Sequence, residues 1–300
     1  MRVLISGGTG LIGGYLQKQL LSLNAEVIVL SRTRKKSTVK GLTYAFWDLE
    51  QQIIDVDAVC KATHIVHLAG ANIADGRWTA QQKQIIIDSR TQTADLIFET
   101  LKNNKHQVES IVSASGADCY GLNTTSKVFK ETDSFGDDFL SEVCNLWEKS
   151  VFKFENLGIR TVCLRTGVVI AKQDSALQKM AMPIRLGIGS ALGSGKQIMS
   201  YIHIKDLCSM YVKALEDVTI KGAYNAISGN HTNAEVTKAI AKQLKKTLFF
   251  PKVPSFVLKI IFGEMASILL EGSAVDNTKI KNTGFQFEYQ HLDDILKDTL

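Results

Sequence analysis

Three hundred residues, 45% hydrophobic and 22% charged, suffice for one large domain or two modest ones with a sizeable core. A net charge of +5 with a pI near 8.8 is mild, and without a dense basic stripe interleaved with aromatics it excludes the usual nucleic-acid binders. The five cysteines (Cys60, Cys119, Cys144, Cys163, Cys208) are widely spaced with no Cys-x-x-Cys, which excludes a disulfide framework and a zinc site and points to a reducing compartment.

The chain runs straight from its first residue into "RVLIS" (2–6) and a glycine turn, leaving no room for a signal peptide, so a cytoplasmic protein is expected. "EVIVL" (26–30), "LTYAFW" (42–47), "HIVHLA" (64–69), "ESIVSAS" (109–115) and "TVCLRTGVVI" (161–170) follow as buried parallel strands. Helix-length amphipathic stretches at 11–23 and 89–104 lie between them, and "FLSEVCNLWEKS" (139–150) reads as another. The alternation predicts an α/β fold: a Rossmann-type doubly wound parallel sheet. After 174 the rhythm breaks into a glycine-rich loop (186–197), a strand and helix (199–217), a strand (222–228) and a mostly helical remainder. The expected division is a nucleotide domain over 1–173 plus 203–228, with a smaller substrate lobe over 174–202 plus 229–300. "FVLKIIFGEMASILLEG" (256–272) is apolar nearly all round and is expected to pack in the core, or else at a subunit face. It is too short to span a bilayer, so no membrane partner is expected.

Gly7, Gly10 and Gly13 stand at G-x-x-G-x-x-G spacing between a strand and a helix. There the turn must tighten, the backbone must approach a pyrophosphate, and the helix amides must point at its charge. Thr9, Leu11 and Ile12 complete this loop. The second strand ends "SRTRKK" with no acid to bond a ribose, and Arg32 with Lys35 suits a 2′-phosphate, favouring NADP(H) over NAD(H). Asp48 and Leu49 fall where an adenine would lie; Leu68, Ala69 and Gly70 end the fourth strand where a cofactor must pass.

These motifs, with "LAGANIADGRWTAQQKQIIIDSR" (68–90), "DDFLSEVCNLWE" (137–148), "LRTGVV" (164–169), "GSGKQIMSYIHIKDL" (193–207) and "VPSFVLKIIFGEMA" (253–266), resemble the extended short-chain dehydrogenase/reductases over the whole chain. The resemblance is nearer still to an atypical "epimerase family" branch with a C-terminal domain of unknown function. It implies an Asn–Ser–Tyr–Lys catalytic set and adds Arg165 to the cofactor ligands. Ser115 (or Ser113) takes the serine place and Arg90 the asparagine place. Glu148, the acid four residues past the lysine, puts Cys144 in the lysine place and Leu140 in the tyrosine place, so the inherited proton relay is missing.

Candidate replacements are Tyr120 at the cleft mouth, the Cys144 thiol, Arg90 as an anion clamp, and His203. Trp78 with Arg77 either lines a substrate pocket or pins its loop to the second lobe. The reading that follows is an NADP(H)-binding oxidoreductase or epimerase acting on a small polar substrate, as monomer or homodimer. The alternative is a catalytically silent NADP(H) sensor or protein-partner regulator.

Overall fold

Apolar runs two residues in period put alternate side chains on opposite faces of a sheet. In the computed structural model, which describes residues 1–300, those runs become its strands. The first part of the chain contains β1 (Arg2–Ser6), α1 (Leu11–Ser22), β2 (Glu26–Ser31), β3 (Leu42–Asp48), β4 (Ile53–Ile54), α2 (Val56–Lys61), β5 (His64–His67), α3 (Ala80–Lys102), β6 (Ser110–Gly116), β7 (Val128–Phe129), α4 (Phe139–Phe152) and β8 (Arg160–Thr166). After these come β9 (Val168–Ile170), α5 (Ala176–Arg185), β10 (Ile198–His203), α6 (Ile204–Glu216), β11 (Gly222–Ala226), β12 (Gly229–Thr232), α7 (Asn233–Gln243), α8 (Ser255–Phe262), α9 (Ser267–Leu270), β13 (Ala274–Val275), α10 (Thr278–Lys281) and α11 (Leu292–Thr299).

The main sheet has eight strands in the order β11-β8-β6-β5-β1-β2-β3-β4, every neighbouring pair parallel except β3 with β4. The chain leaves β1 toward β2 and later returns on its other side at β5. The carboxyl ends of β1 and β5 therefore border the crevice where doubly wound sheets bind ligands. Val3, Ile5, Val27 and Val29 face α1 and α6, while Leu4, Ile65 and Ile111 face α3 and α4. Helix α3 starts at Ala80, earlier than expected, because the Thr79 side chain caps its first turn by accepting from the Gln82 amide.

The expected single strand over 161–170 is two. A Cβ at Gly167 would lie 2.5 Å from the Ser200 carbonyl, and there the chain passes from β8 in the main sheet to β9, which joins β10 and β12 in a second sheet. Ile170, Tyr201, Leu177, Ile240 and Ile295 form the core of that smaller lobe. The late apolar segment departs from expectation more sharply. It breaks at Gly263, whose φ is +63°, and α8 buries Leu258 while leaving Phe256, Ile260 and Ile261 exposed, so its outer face is not core.

Candidate functional site

Glycine is required at position 7, where φ is +72° and a Cβ would lie 2.6 Å from the Leu68 carbonyl. A Cβ at Gly13 would meet the Gly8 Cα at 2.5 Å, so loop and helix touch backbone to backbone. Gly10 caps α1 in an extended conformation, and no side chain bonds the first-turn amides. Thr9 and Gly10 are exposed beside them, with Leu11 and Ile12 half-buried behind. This cradle fits a pyrophosphate, since the free amides and the helix dipole both favour negative charge. At the end of β2, Arg32 is exposed and enters no ion pair, Arg34 stacks on Phe46 at 4.7 Å, and Lys35 stands 5.9 Å from the Tyr44 ring. Asp48 Oδ1 closes the following turn by accepting from the Glu50 and Gln51 amides, and Leu49 packs beneath it. Leu68 and Ala69 pack into the sheet. A Cβ at Gly70 would lie 2.9 Å from the Arg90 guanidinium carbon, so the glycine leaves room for that side chain.

Arg90 is buried, lies 5.0 Å from the Trp147 ring, and donates Nη1 to the Ile86 carbonyl at 2.8 Å. Burial lowers its pKa to about 10, so it remains a cation, and its Nε has no partner in the protein. A buried unpaired donor beside the crevice fits a ribose or phosphate oxygen.

Three expected site residues are instead joined to one another. Arg165, expected against the cofactor, grips Glu148 through Nε–Oε1 and Nη2–Oε2, both 2.9 Å, deep in the protein. Burial opposes the charge of Arg165, but Glu148 more than offsets this and the guanidinium pKa is raised. Ser115, expected to polarise a substrate, donates to Glu148 Oε1 at 2.7 Å. Tyr120, expected at the cleft mouth, is buried, accepts from Arg165 Nη1 at 2.9 Å and donates to Asn225 Oδ1 at 2.7 Å. Burial raises its pKa, so the phenol is fixed as a neutral structural donor. The network ties β6, α4, β8 and β11 together. Ser113, the other serine, donates to the Ala114 carbonyl at 2.8 Å.

Cys144, in the lysine place, is also buried; enclosure and the neighbouring Asp118 push its thiol pKa up to about 12, which removes any thiolate. Leu140, in the tyrosine place, packs with Trp78, Val143 and Met265. Trp78 donates Nε1 to the Ile73 carbonyl at 2.8 Å and meets Phe139 edge-on, so it pins its loop rather than lining an open pocket. Arg77 Nε reaches the Ile261 carbonyl and Lys83 pairs with Glu264 at 2.6 Å, docking the C-terminal segment. His203 is buried against Tyr289, with Asp298 at 3.3 Å, and belongs to lobe packing.

Asp118 is the group that reading the sequence missed. It lies in the 3₁₀ turn Ala117–Tyr120 after β6, partly open to solvent, and its carboxyl receives no hydrogen bond from the protein. A Cβ built on Gly116 would lie 3.9 Å from Asp118 Oδ2 and 3.1 Å from Cys144 Sγ, so both groups face the same space at the carboxyl end of β6. Burial and the charge of Asp138 raise its pKa to about 6. Asp138 is itself satisfied by the Ser141 and Leu122 amides.

His67 anchors the crevice floor. Its Nε2–H donates to the Arg90 carbonyl at 3.1 Å, which leaves Nδ1 to accept from Ser6 Oγ at 2.7 Å. Burial lowers its pKa from 6.5 to about 4. The unfolded chain binds more protons between these values, so this term is present above pH 6.5 and is lost as pH falls toward 4, amounting to about 3 kcal/mol. Asp118, being raised, slopes the other way. Urea unfolding of His67→Asn beside wild type should therefore show a shallower acid-side loss in the variant. Parallel curves would refute this.

Residues 3–226 match the model of the NAD dependent epimerase/dehydratase family, and residues 253–299 match a domain of unknown function, DUF1731. An epimerase family protein of Staphylococcus epidermidis is 30% identical over 305 residues, covering 100% of this chain and 99% of its own. A chloroplastic epimerase family homolog of Arabidopsis thaliana is 32% identical over 305 residues, covering 99% and 86%. The crystal structure of human epimerase family protein SDR39U1 with NADPH superposes with a TM-score of 0.85 at 29% identity, covering 100% of this chain and 99% of that one. With a glycine turn, a switch-point crevice and a family model that spans most of its length, this chain belongs to the NAD dependent epimerase/dehydratase family.

Proposed function

We propose that the chain binds NADP(H) and carries out hydride-linked oxidation or reduction of a small polar substrate. The observation that carries this reading is the open α1 amide cradle beside a β2 end whose only charges are cationic, Arg32, Arg34, Lys35 and Lys36. The human relative solved with NADPH supports the choice of nucleotide. Bound, the nucleotide supplies the hydride. The chain's own residues hold the phosphates at Gly7–Gly13 and Arg32, offer the free Arg90 Nε to a ribose or phosphate oxygen, and offer the Asp118 carboxyl, protonated below about pH 6, in place of the absent tyrosine.

Calorimetric titration tests the nucleotide. NADPH should bind more tightly than NADH, and Arg32→Ala should weaken NADPH by roughly tenfold or more, as expected for a charged hydrogen bond, while leaving NADH nearly unchanged. Equal affinity for both nucleotides, or none for either in folded protein, would overturn the assignment.

A further inference from the structure

The second lobe carries a face that neither the crevice nor the core uses. Phe249 is 81% exposed, Leu186 and Ile260 67% each, and Phe256 62%, with Ile188 and Phe250 also open. Isolated exposed apolar residues are ordinary, but these are neighbours. The segment after α5 runs beside the one before α8: Leu192 bridges Val253, and Ser190 donates to the Phe250 and Pro251 carbonyls. Phe256 and Ile260 stand one turn apart on α8, opposite the buried Leu258.

The charges carried by the segments of this face are cationic, with acids only at their ends and on α11. Residues 175–205 and 236–263 hold ten lysines and arginines and no aspartate or glutamate, in a chain whose net charge is only +5. Lys242 and Lys205 meet Asp293 and Asp298 of α11; Arg185, Lys245, Lys246, Lys252 and Lys259 are exposed and enter no ion pair. Two copies meeting here would set those cations against each other. A face of exposed aromatics and aliphatics with five unpaired cations on its own segments complements a surface with anionic heads and an apolar interior.

We propose that this face seats the chain on an anionic lipid bilayer, with Phe249, Phe256 and Ile260 entering the headgroup boundary and the lysines meeting lipid phosphates. The contact is peripheral, since no helix of the chain is long and apolar enough to cross a membrane. It departs from the expectation of no membrane partner, which rested on spanning length.

The test is co-sedimentation of the full chain with vesicles of phosphatidylcholine alone and of phosphatidylcholine with about one third phosphatidylglycerol. Binding should require phosphatidylglycerol and weaken with salt. Each lysine lost should cost about fivefold, so Lys245→Gln with Lys246→Gln should cost about 25-fold. Phe249→Ser with Phe256→Ser should cost roughly tenfold or more at unchanged circular dichroism. No sedimentation with either vesicle, or binding untouched by the phenylalanine pair, overturns the proposal. So does a dimer in sedimentation equilibrium that Phe256→Asp dissociates, because the face would then belong to a second copy.

Discussion

Glu148→Ala is expected to lower stability by about 3–5 kcal/mol, a large share of the roughly 5–15 kcal/mol that holds a typical folded domain. The size follows from what remains. Arg165 keeps its charge at neutral pH, and it would sit buried with only the Tyr120 oxygen and the Glu131 carbonyl for company. Ser115 loses its acceptor as well. Glu148→Gln keeps the shape but supplies one carbonyl where two carboxylate oxygens accept three bonds, and should fall between alanine and wild type. The double change Glu148→Leu with Arg165→Met removes both charges and should be less damaging than either charge removal alone, since a desolvated pair stabilises little over apolar side chains of like volume. Urea denaturation of these proteins beside the single variants Glu148→Leu and Arg165→Met decides the matter; a double variant as unstable as the sum of its parts would contradict it.

The sheet was legible because its signals are local. Alternating Val and Ile between helix-length segments fixes their period, and glycine at 7 and 13 is demanded by backbone contacts that no other residue permits. The corner around Ser115, Asp118 and Tyr120 was less legible because it depends on direction. Asp118 and Tyr120 share one 3₁₀ turn of about three residues per revolution, so two positions apart they point to different sides. Tyr120 turns inward to Asn225, and Asp118 takes the open side that the sequence assigned to the phenol. Arg165 was expected against the cofactor because "LRTGVV" marks a strand end near it, whereas only the fold reveals Glu148 opposite. The outer face of α8 was expected in the core or at a subunit face because an apolar helix carries no label for its partner. The absence of acids over 236–263 was the available signal.

Asp118→Asn should abolish proton transfer while sparing the nucleotide cradle, a loss of about 10²–10⁴-fold in turnover on whichever of the quinones, aldehydes and keto-sugars the wild type reduces. The balance is simple: a substrate carbonyl carbon takes the hydride, its oxygen takes the Asp118 proton, and Asp118 is left as carboxylate. With its pKa near 6, the acid form that donates is lost as pH rises through that value, so reduction should fall above about pH 6 and oxidation, which needs the carboxylate, should rise. The groups around it fix this sign. Asp138 is a satisfied anion that raises the proton affinity of Asp118, the thiols of Cys119 and Cys144 stay neutral, and the Arg90 cation lies beyond Cys144. A readout independent of turnover is the carboxyl carbon resonance of Asp118, assigned by its disappearance in Asp118→Asn, which should titrate near 6. In Asp138→Asn the midpoint should move down toward that of an ordinary aspartate. A resonance that titrates near 4, or turnover that survives Asp118→Asn, would leave the proton to solvent and return Asp118 to the role of a turn residue.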